Sequence, residues 1–436
     1  MQKIVLGSLN LRKSHIISIK QKIFQNEFSK NILTLITGTT VAQFIPVVIS
    51  PILTRIYTPK DFGVLTLFIS ISAILGSIAT GRYELAIVLA ENSEEAINIT
   101  ALSTLIAVAF GLFSLVVVIL FNKQFTLFLN NKEIFIWLFF IPLVVFLTGL
   151  FNSLSNLNTR EKQFKNIAKA NINKSIILAA VQLALGFLNI KASGLICGQI
   201  LSSVSGNSTL GVKFLKDKDL LAKINKEEIR RLAKRYINFP KYSTFSILMN
   251  TLSYNILNIF ISTLYSTYTL GLYSLSNRVL GMPTSLIGSS VSQVFFQKAT
   301  EEKEKTGSSI NTFYATLKRL LLISVPCFGI IYLIVEDAFA FVFGEEWRIA
   351  GKYTKIVIPL FFVKFIVSPL TLVTIVFEKQ KFELASQLTL LGLFLVTYFI
   401  SLYNDYKVVN FLYLFTLTVS LFYVLWFFML LKISKG

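Results

Sequence analysis

"LTRIYTPKDFGVLTL", residues 53–67, has a counterpart 208 residues later in "ISTLYSTYTLGLYSL", residues 261–275. Tyr57 falls on Tyr265 and Gly63 on Gly271. Farther along, "IPLVVF" (141–146) matches "IPLFFV" (358–363) at an offset of 217. "REKQF" (160–164) and "FEKQKF" (377–382) then occupy the same place in each half. Each match is short, but the order is consistent, and the shift in offset fits an insertion near "ATEEKEKTGS". The chain reads as an internal duplication.

Composition says what is duplicated. Of 436 residues, 54% are hydrophobic and only 15% charged, and Phe alone occurs 40 times. A soluble protein of this length has too little polar surface to cover so much apolar material. About 20 apolar residues cross a bilayer. Runs of that kind lie at 31–54, 62–81, 96–121, 134–157, 167–189 and 192–212, and again at 240–264, 270–296, 313–335, 353–377, 383–403 and 408–431. The fold class is therefore an all-α polytopic membrane protein with twelve spans, six in each repeat. Six is even, so both halves face the same way, a parallel repeat about the membrane normal.

The net charge of +20 is explained by where the cations lie. The N-terminal segment carries six, and ten lie between Lys213 and Lys241. Arg160, Lys162, Lys165 and Lys169 follow the fourth span, and Lys298, Lys303, Lys305, Lys318 and Arg319 follow the eighth. Segments after odd-numbered spans are poor in them: residues 265–269 hold none. This alternation places both termini in the cytoplasm and excludes nucleic acid as the partner that the charge calls for. Cys197 and Cys327 sit inside apolar runs, and the one histidine is His15 in a polar segment, so disulfide, metal and His-dependent chemistry have no support. Residues 1–30 are basic without a continuous apolar core and do not read as a signal peptide. The organisation is a basic N-terminal segment (1–30), a first lobe (31–212), a linker (213–239) and a second lobe (240–436). In the linker, "INKEEIRRLAKRYINF" spaces Ile229, Leu232, Ala233, Tyr236 and Ile237 as one helical face, and Asn225 with Glu228 fits a capped start. That helix lies either on the membrane surface or in solvent.

Charges inside spans are costly, about 3 kcal/mol each on insertion scales, and usually face a cavity. Arg278, in "LYSLSNRVLGMPTSLIG", is deepest, with Asn277 beside it and Gly281 and Pro283 following as points that loosen the helix. Lys364 lies in "FFVKFIVSP" and Lys174 in "ANINKSIILAA". No acid stands close in sequence to these three cations, so they point to an anionic ligand; the two lysines also have the option of snorkelling. "GSIATGRYELAIVLAENSEEA", 76–96, sets Arg82 and Glu84 at the end of the second span. Two apart, they diverge on a helix but share a face on extended backbone, and Gly81 permits the break. They read either as a structural ion pair or as ligand contacts. Glu84 and Glu378 are the acids left near membrane depth to carry a coupling proton; whether the coupling ion is H+ or Na+ stays open, and no other cofactor is indicated.

Five phrases in order, "ILTRIYTPKDFGVLTL", "GRYELAIVLAENSEEAINI", "FPKYSTFSILMNTLS", "GLYSLSNRVLGMPTSLIGSSVSQVFFQKAT" and "FGEEWRIAGKY", resemble the bacterial polysaccharide flippases. These belong to the multidrug/oligosaccharidyl-lipid/polysaccharide exporter superfamily, which also holds the MATE drug exporters. The resemblance covers the chain from about residue 31. It implies two six-helix lobes around a central cavity, rocking between inward-open and outward-open states in the bacterial inner membrane. It implies a cargo of undecaprenyl-diphosphate-linked oligosaccharide, moved from the cytoplasmic to the periplasmic leaflet without covalent chemistry, in contact with membrane lipids and alongside polysaccharide polymerase or assembly proteins. Diphosphate supplies the anion that Arg278 grips with its planar fork, and the resemblance sets Arg82 and Glu84 near the cavity mouth. A cation-coupled small-molecule exporter is the alternative, but residues 31–54 contain no Asp or Glu to hold the ion. A glycosyltransferase or polymerase needs a substantial outer loop, and the longest here, Glu336 to Lys352, is short.

The charge alternation makes a direct prediction. Reporter fusions at Asn225 and Lys303 should read as cytoplasmic and one at Ser266 as periplasmic; Asn225 and Ser266 on the same side would disprove the span order.

Overall fold

The computed structural model describes residues 27–436, which form helices and short turns with no strand among them. The first lobe is built from α1 (Glu27–Ile56), α2 (Pro59–Gly76), α3 (Ser93–Phe128), α4 (Ile141–Arg160), α5 (Phe164–Phe187) and α6 (Lys191–Lys216). The second is built from α7 (Thr244–Leu264), α8 (Thr267–Thr306), α9 (Ile310–Phe343), α10 (Arg348–Leu370), α11 (Gln380–Tyr403) and α12 (Val408–Ile433). Neighbours are mostly in the same lobe: α1 with α5, α5 with α6, α3 with α4, and then α9 with α10, α8 with α10, α10 with α12. Backbone polar groups in lipid must be satisfied within the helix, which is why so apolar a chain takes this form. Large apolar side chains remain on the outside, among them Leu120, Phe128, Leu322, Leu333 and Phe341.

The duplicated phrase sits where the lobes meet. Thr58 and Asp61 form a reciprocal cap at the start of α2, with Pro59 in its first turn, and Ser266 caps α8 through the Thr269 amide. Just inside these caps, α2 and α8 cross. A Cβ on Gly63 would collide with the Thr267 carbonyl, and one on Gly271 with the Pro59 carbonyl. Thr267 is the 208-residue counterpart of Pro59, so the two collisions are one contact seen from each lobe. Only glycine allows two helix backbones so close. Around the crossing, the buried Trp347 donates its indole N–H to the Thr54 carbonyl (2.9 Å), and Ser262 donates to the Leu129 carbonyl (3.3 Å). Thr54 and Ser262 are again counterparts at the same offset. The lobes are thus closed against each other at the α1–α2 and α7–α8 turns.

Several expectations shift. Eleven helices among the described residues are long and apolar enough to cross a membrane. The sixth expected span, 192–212, forms as the 26-residue α6 but is too polar to qualify. Its "SSVSGNST" run is helical because α4 and α5 pack on it and Asn207 bonds the Leu147 carbonyl (2.9 Å). The 1–30 segment was expected to precede the helices, yet α1 begins at Glu27; residues 1–26 lie outside the described part. The loop expected from Glu336 shrinks, because α9 continues to Phe343 and sets Glu336 inside a helix, paired with Lys355 (3.0 Å). α8 runs unbroken through Gly281 and residue 283.

The linker helix (Lys226–Arg235) is capped by Asn225, whose side chain accepts from the Glu227 amide (2.9 Å). Glu228 does not complete the box, because it pairs with Arg231. That pairing holds the Glu228 carboxyl below its ordinary range. Part of the apolar face is covered by protein, while Ile237 at its end stays exposed. Leu232 is fully buried against the first lobe, Arg231 and Arg235 both reach Glu95 (2.7 and 3.2 Å), and the Tyr83 hydroxyl donates to the Ala233 carbonyl (2.9 Å).

Gly271→Ala should force α2 and α8 apart, since the atom in the way is backbone rather than a flexible side chain end. Overpacking of this kind costs about 1–3 kcal/mol. The check is the thermal midpoint in detergent, with Gly288→Ala, where a Cβ meets nothing within 4 Å, as the control. Equal midpoints for the two variants would mean the crossing is not under constraint.

Candidate functional site

Arg278 lies on α8, seven residues beyond Gly271, so roughly 10 Å along the helix from the crossing. Its guanidinium carbon sits 5.6 Å from the centroid of Phe62 on α2. Phe62 in turn meets Trp347 edge to face at 5.2 Å. Among the described residues Arg278 has no ion-pair partner. A cation over a ring face gains on the order of 0.5–2 kcal/mol, which leaves its N–H donors free for an anion. The first-lobe counterpart at offset 208 is Ser70, and Ser70 accepts from Asn258 on α7 (2.9 Å), whose own counterpart is Ser50. At this depth the second lobe carries the long polar groups and the first lobe carries serines.

Asn277, adjacent on α8, points elsewhere. It shares a cavity of about 80 Å³ inside the second lobe with Lys364 of α10 and with Tyr254, Asn258, Tyr273 and Tyr423. Lys364 places its ammonium 5.1 Å from the Tyr254 ring. Of these groups only Tyr273 is fully buried, with Asn258, Lys364 and Tyr423 partly buried and Asn277 and Tyr254 open; so polar a lining within an apolar bundle is expensive unless the groups serve each other or a ligand. The tyrosines and Asn258 were not singled out from the sequence. The signal was present, because Tyr254 and Asn258 stand four apart on one face of a span.

Lys174 belongs to a separate environment in the first lobe. Its ammonium lies 4.2 Å from the Phe151 ring, and its stem runs along Gly206, where a Cβ would come within 2.6 Å of it. Arg82 and Glu84 do come together. α2 ends at Gly76, and after a turn Gly81 and Arg82 both take left-handed backbone (φ 58° and 63°), leading into a 3-10 turn over Tyr83–Leu89. This sets the Arg82 guanidinium 3.1 Å from Glu84, which is 2% exposed and also accepts from the Thr80 hydroxyl. Arg82 remains half-open, and its Nε is buried without a partner. Glu378 is exposed in the turn before α11, on left-handed backbone (φ 56°). The structure therefore joins Asn277 with Lys364 and Arg82 with Glu84, holds Arg278 at the lobe crossing, and keeps Lys174 and Glu378 apart. Among the described residues no cluster of His, Cys, Asp or Glu is fit to hold a metal.

Comparison with known proteins bears on both fold and role. A family model described as "Polysaccharide biosynthesis protein" matches residues 52–351. No curated protein matches the chain. Among solved structures, an inward-facing multidrug resistance MATE family transporter of the MOP superfamily is similar at a TM-score of 0.67, with 13% identity over 92% of this chain and 94% of that one. An outward-facing MATE family transporter is similar at 0.58, with 13% identity over 95% and 98%. A MOP superfamily transporter from Pyrococcus furiosus, described as having a binding pocket of reversed polarity that suggests a different function, is similar at 0.60, again with 13% identity over 95% and 98%. At such identity these likenesses concern the fold.

The Arg82–Glu84 pair supports a stability test. Arg82→Ala leaves a buried carboxylate with one hydroxyl partner, at a cost of about 1–3 kcal/mol. Adding Glu84→Gln should restore most of the loss in thermal midpoint, because a neutral amide needs no cation. A double variant no more stable than Arg82→Ala would show that Arg82 does not act through Glu84.

Proposed function

This chain belongs to the polysaccharide biosynthesis protein family, and on that premise we propose that it flips an undecaprenyl-diphosphate-linked oligosaccharide from the cytoplasmic to the periplasmic leaflet of the bacterial inner membrane. The observation that carries the reading is Arg278: a cation without an ion-pair partner among the described residues, seated where two lobes of the MATE-like fold meet. Such a group needs an anion that comes and goes, and a diphosphate that keeps two or more charges through the cycle is one. Lys364 and Asn277 extend the polar surface into the second lobe, and Lys174 supplies a cation in the first.

In this mechanism the lobes rock about their crossing. With the α1–α2 and α7–α8 turns closed, the opposite end admits the head group while the lipid tail stays in the bilayer. Arg278 and its neighbours hold the diphosphate loosely enough for release once the lobes reverse. No bond is made or broken, so the protein acts as a carrier and not as an enzyme. Arg82 and Glu84 stand just beyond α2, near the entrance, where the open edge of Arg82 offers a contact to phosphate or sugar. Coupling to H+ through Glu84 or Glu378 belongs to the same proposal. A cation-coupled small-molecule exporter has the fold in its favour but lacks an acid between residues 37 and 56, the first membrane-crossing stretch.

Deleting the gene should strand complete lipid-linked repeat units on the inner leaflet and remove surface polysaccharide. Single unpolymerised units already on the cell surface would overturn the reading. Within the protein, Arg278→Ala and Arg278→Gln should abolish export per inserted molecule, and Arg278→Lys should restore part of it. One charge-assisted contact is worth roughly 1.5–3 kcal/mol, or about 10–150-fold in binding.

A further inference from the structure

Tyr57 and Tyr265 stand at matching turns of the two lobes, yet their hydroxyls fare differently. Tyr57 is 2% exposed and donates to the Gln182 carbonyl (2.7 Å). It reaches that acceptor because Gly186 and Gly194 leave room: a Cβ on either would press into the phenol ring or its hydroxyl. In the second lobe the room is gone. Gly194 is three residues into α6, and three residues into α12 stands Phe411, whose ring centroid is 5.7 Å from that of Tyr265. Gly186 is one residue short of the end of α5, and one residue short of the end of α11 stands Leu402. Tyr265 is held back, and its buried hydroxyl has no partner.

The space it leaves is a pocket of about 470 Å³ between α7, α11 and the α11–α12 turn. That volume is within the usual range for small-molecule sites. Ser401, only 2% exposed, also borders it, and its hydroxyl, like that of Tyr265, is buried without a partner just behind the pocket wall. Tyr398 and Tyr406 provide aromatic faces, and Asp405 provides a carboxylate at the open edge, with Lys407 beside it. Burial, and to a lesser extent Asp405, raises the Tyr265 phenol to about 12, so it remains a neutral hydroxyl at physiological pH. Aromatic rings, charges of opposite sign at the open edge and two unsatisfied hydroxyls behind the wall suit a neutral, hydroxyl-rich ligand and not a cation or a diphosphate.

We propose that this pocket is a saccharide subsite on the second lobe, in which a sugar ring stacks on Tyr398 or Tyr406 and its hydroxyls pair with Tyr265, Ser401 and Asp405. It rests on the reading of the protein as a carrier of lipid-linked oligosaccharide, and it lies at the end where the lobes are closed, the exit side of that cycle. At the matching position of the first lobe, Tyr57 is packed on Gly186 and Gly194 and spends its hydroxyl on the Gln182 carbonyl.

The test is saturation-transfer NMR on the purified full-length protein in a detergent without a sugar head group. Glucose, galactose and N-acetylglucosamine are offered at millimolar concentration to the parent, to Tyr57→Phe and to the Tyr265→Phe/Ser401→Ala double variant. Transfer to at least one sugar in the parent and in Tyr57→Phe, reduced at least fivefold in the double variant, is the expected result. No transfer to any of the three, or equal transfer in the double variant, overturns the proposal. So does loss of the sugar signal when phosphatidylglycerol is added, which would assign the pocket to a lipid head group. Thermal midpoints without ligand are a second readout. Tyr57→Phe should lower the midpoint, and Tyr265→Phe should not, because its hydroxyl loses no protein bond. Equal losses would mean that Tyr265 has a protein partner and would also overturn the site. Binding is read without transport, so this experiment and the gene deletion can fail separately.

Discussion

Two helix backbones touch at Gly63 and Gly271, and most of the architecture is arranged around that contact. A carbonyl from each lobe occupies the space that a side chain would take on the other. The contact is self-complementary because the repeat supplies it twice, and it sits beside the capped starts of α2 and α8, where the backbone is most rigid. Around it a continuous apolar core runs across both lobes, with Phe62, Val64 and Phe68 of one and Ile261, Leu270 and Leu272 of the other fully buried, and a few hydrogen bonds cross the seam: the Trp347 indole to Thr54, Ser262 to Leu129 and Arg55 to Phe341. Bonds of that kind contribute about 0.5–1.5 kcal/mol each.

The linker contributes to the same design. Arg231 and Arg235 on Glu95, Asn225 on Asn98 and Leu232 in the first-lobe core make the linker helix part of one lobe. Displacement between the lobes must then be taken up beyond it, where Phe239–Ser243 form a π-helical turn leading into α7. Such turns loosen the hydrogen-bond ladder locally. Pro240 there lies against Gly81, itself on left-handed backbone, so the turn after α2 and the start of the second lobe meet at one point.

Symmetry of fold and asymmetry of chemistry coexist. Equivalent turns, caps and crossings recur in both lobes, whereas Arg278 replaces Ser70, Asn258 replaces Ser50, and Phe411 takes the place of Gly194 in α12. Duplication preserves what the backbone needs and leaves side chains free to diverge. The first lobe fully buries its long polar groups, among them Asn98, Asn158, Gln182 and Asn207, whereas the second lobe sets Asn277 and Lys364 along an opening between α7, α8 and α10.

The sequence by itself determined the membrane class, the number of long helices, the repeat and the unusual positions. Hydropathy and charge alternation act over short stretches, and each span must satisfy its own backbone, so these properties are local. Gly81 as a break and Arg278 as a buried cation were legible for the same reason. Only the tertiary structure decided what touches what. It made α6 a helix despite its polarity, gave the linker's apolar face a protein partner, turned Arg82 and Glu84 into a pair through left-handed backbone, and joined Lys364 to Asn277 from helices far apart in sequence. It also separated Tyr57 from Tyr265, identical letters in matching phrases. The difference lies in whether a glycine or a phenylalanine stands more than a hundred residues downstream, and steric room between helices is a property of the assembled lobe.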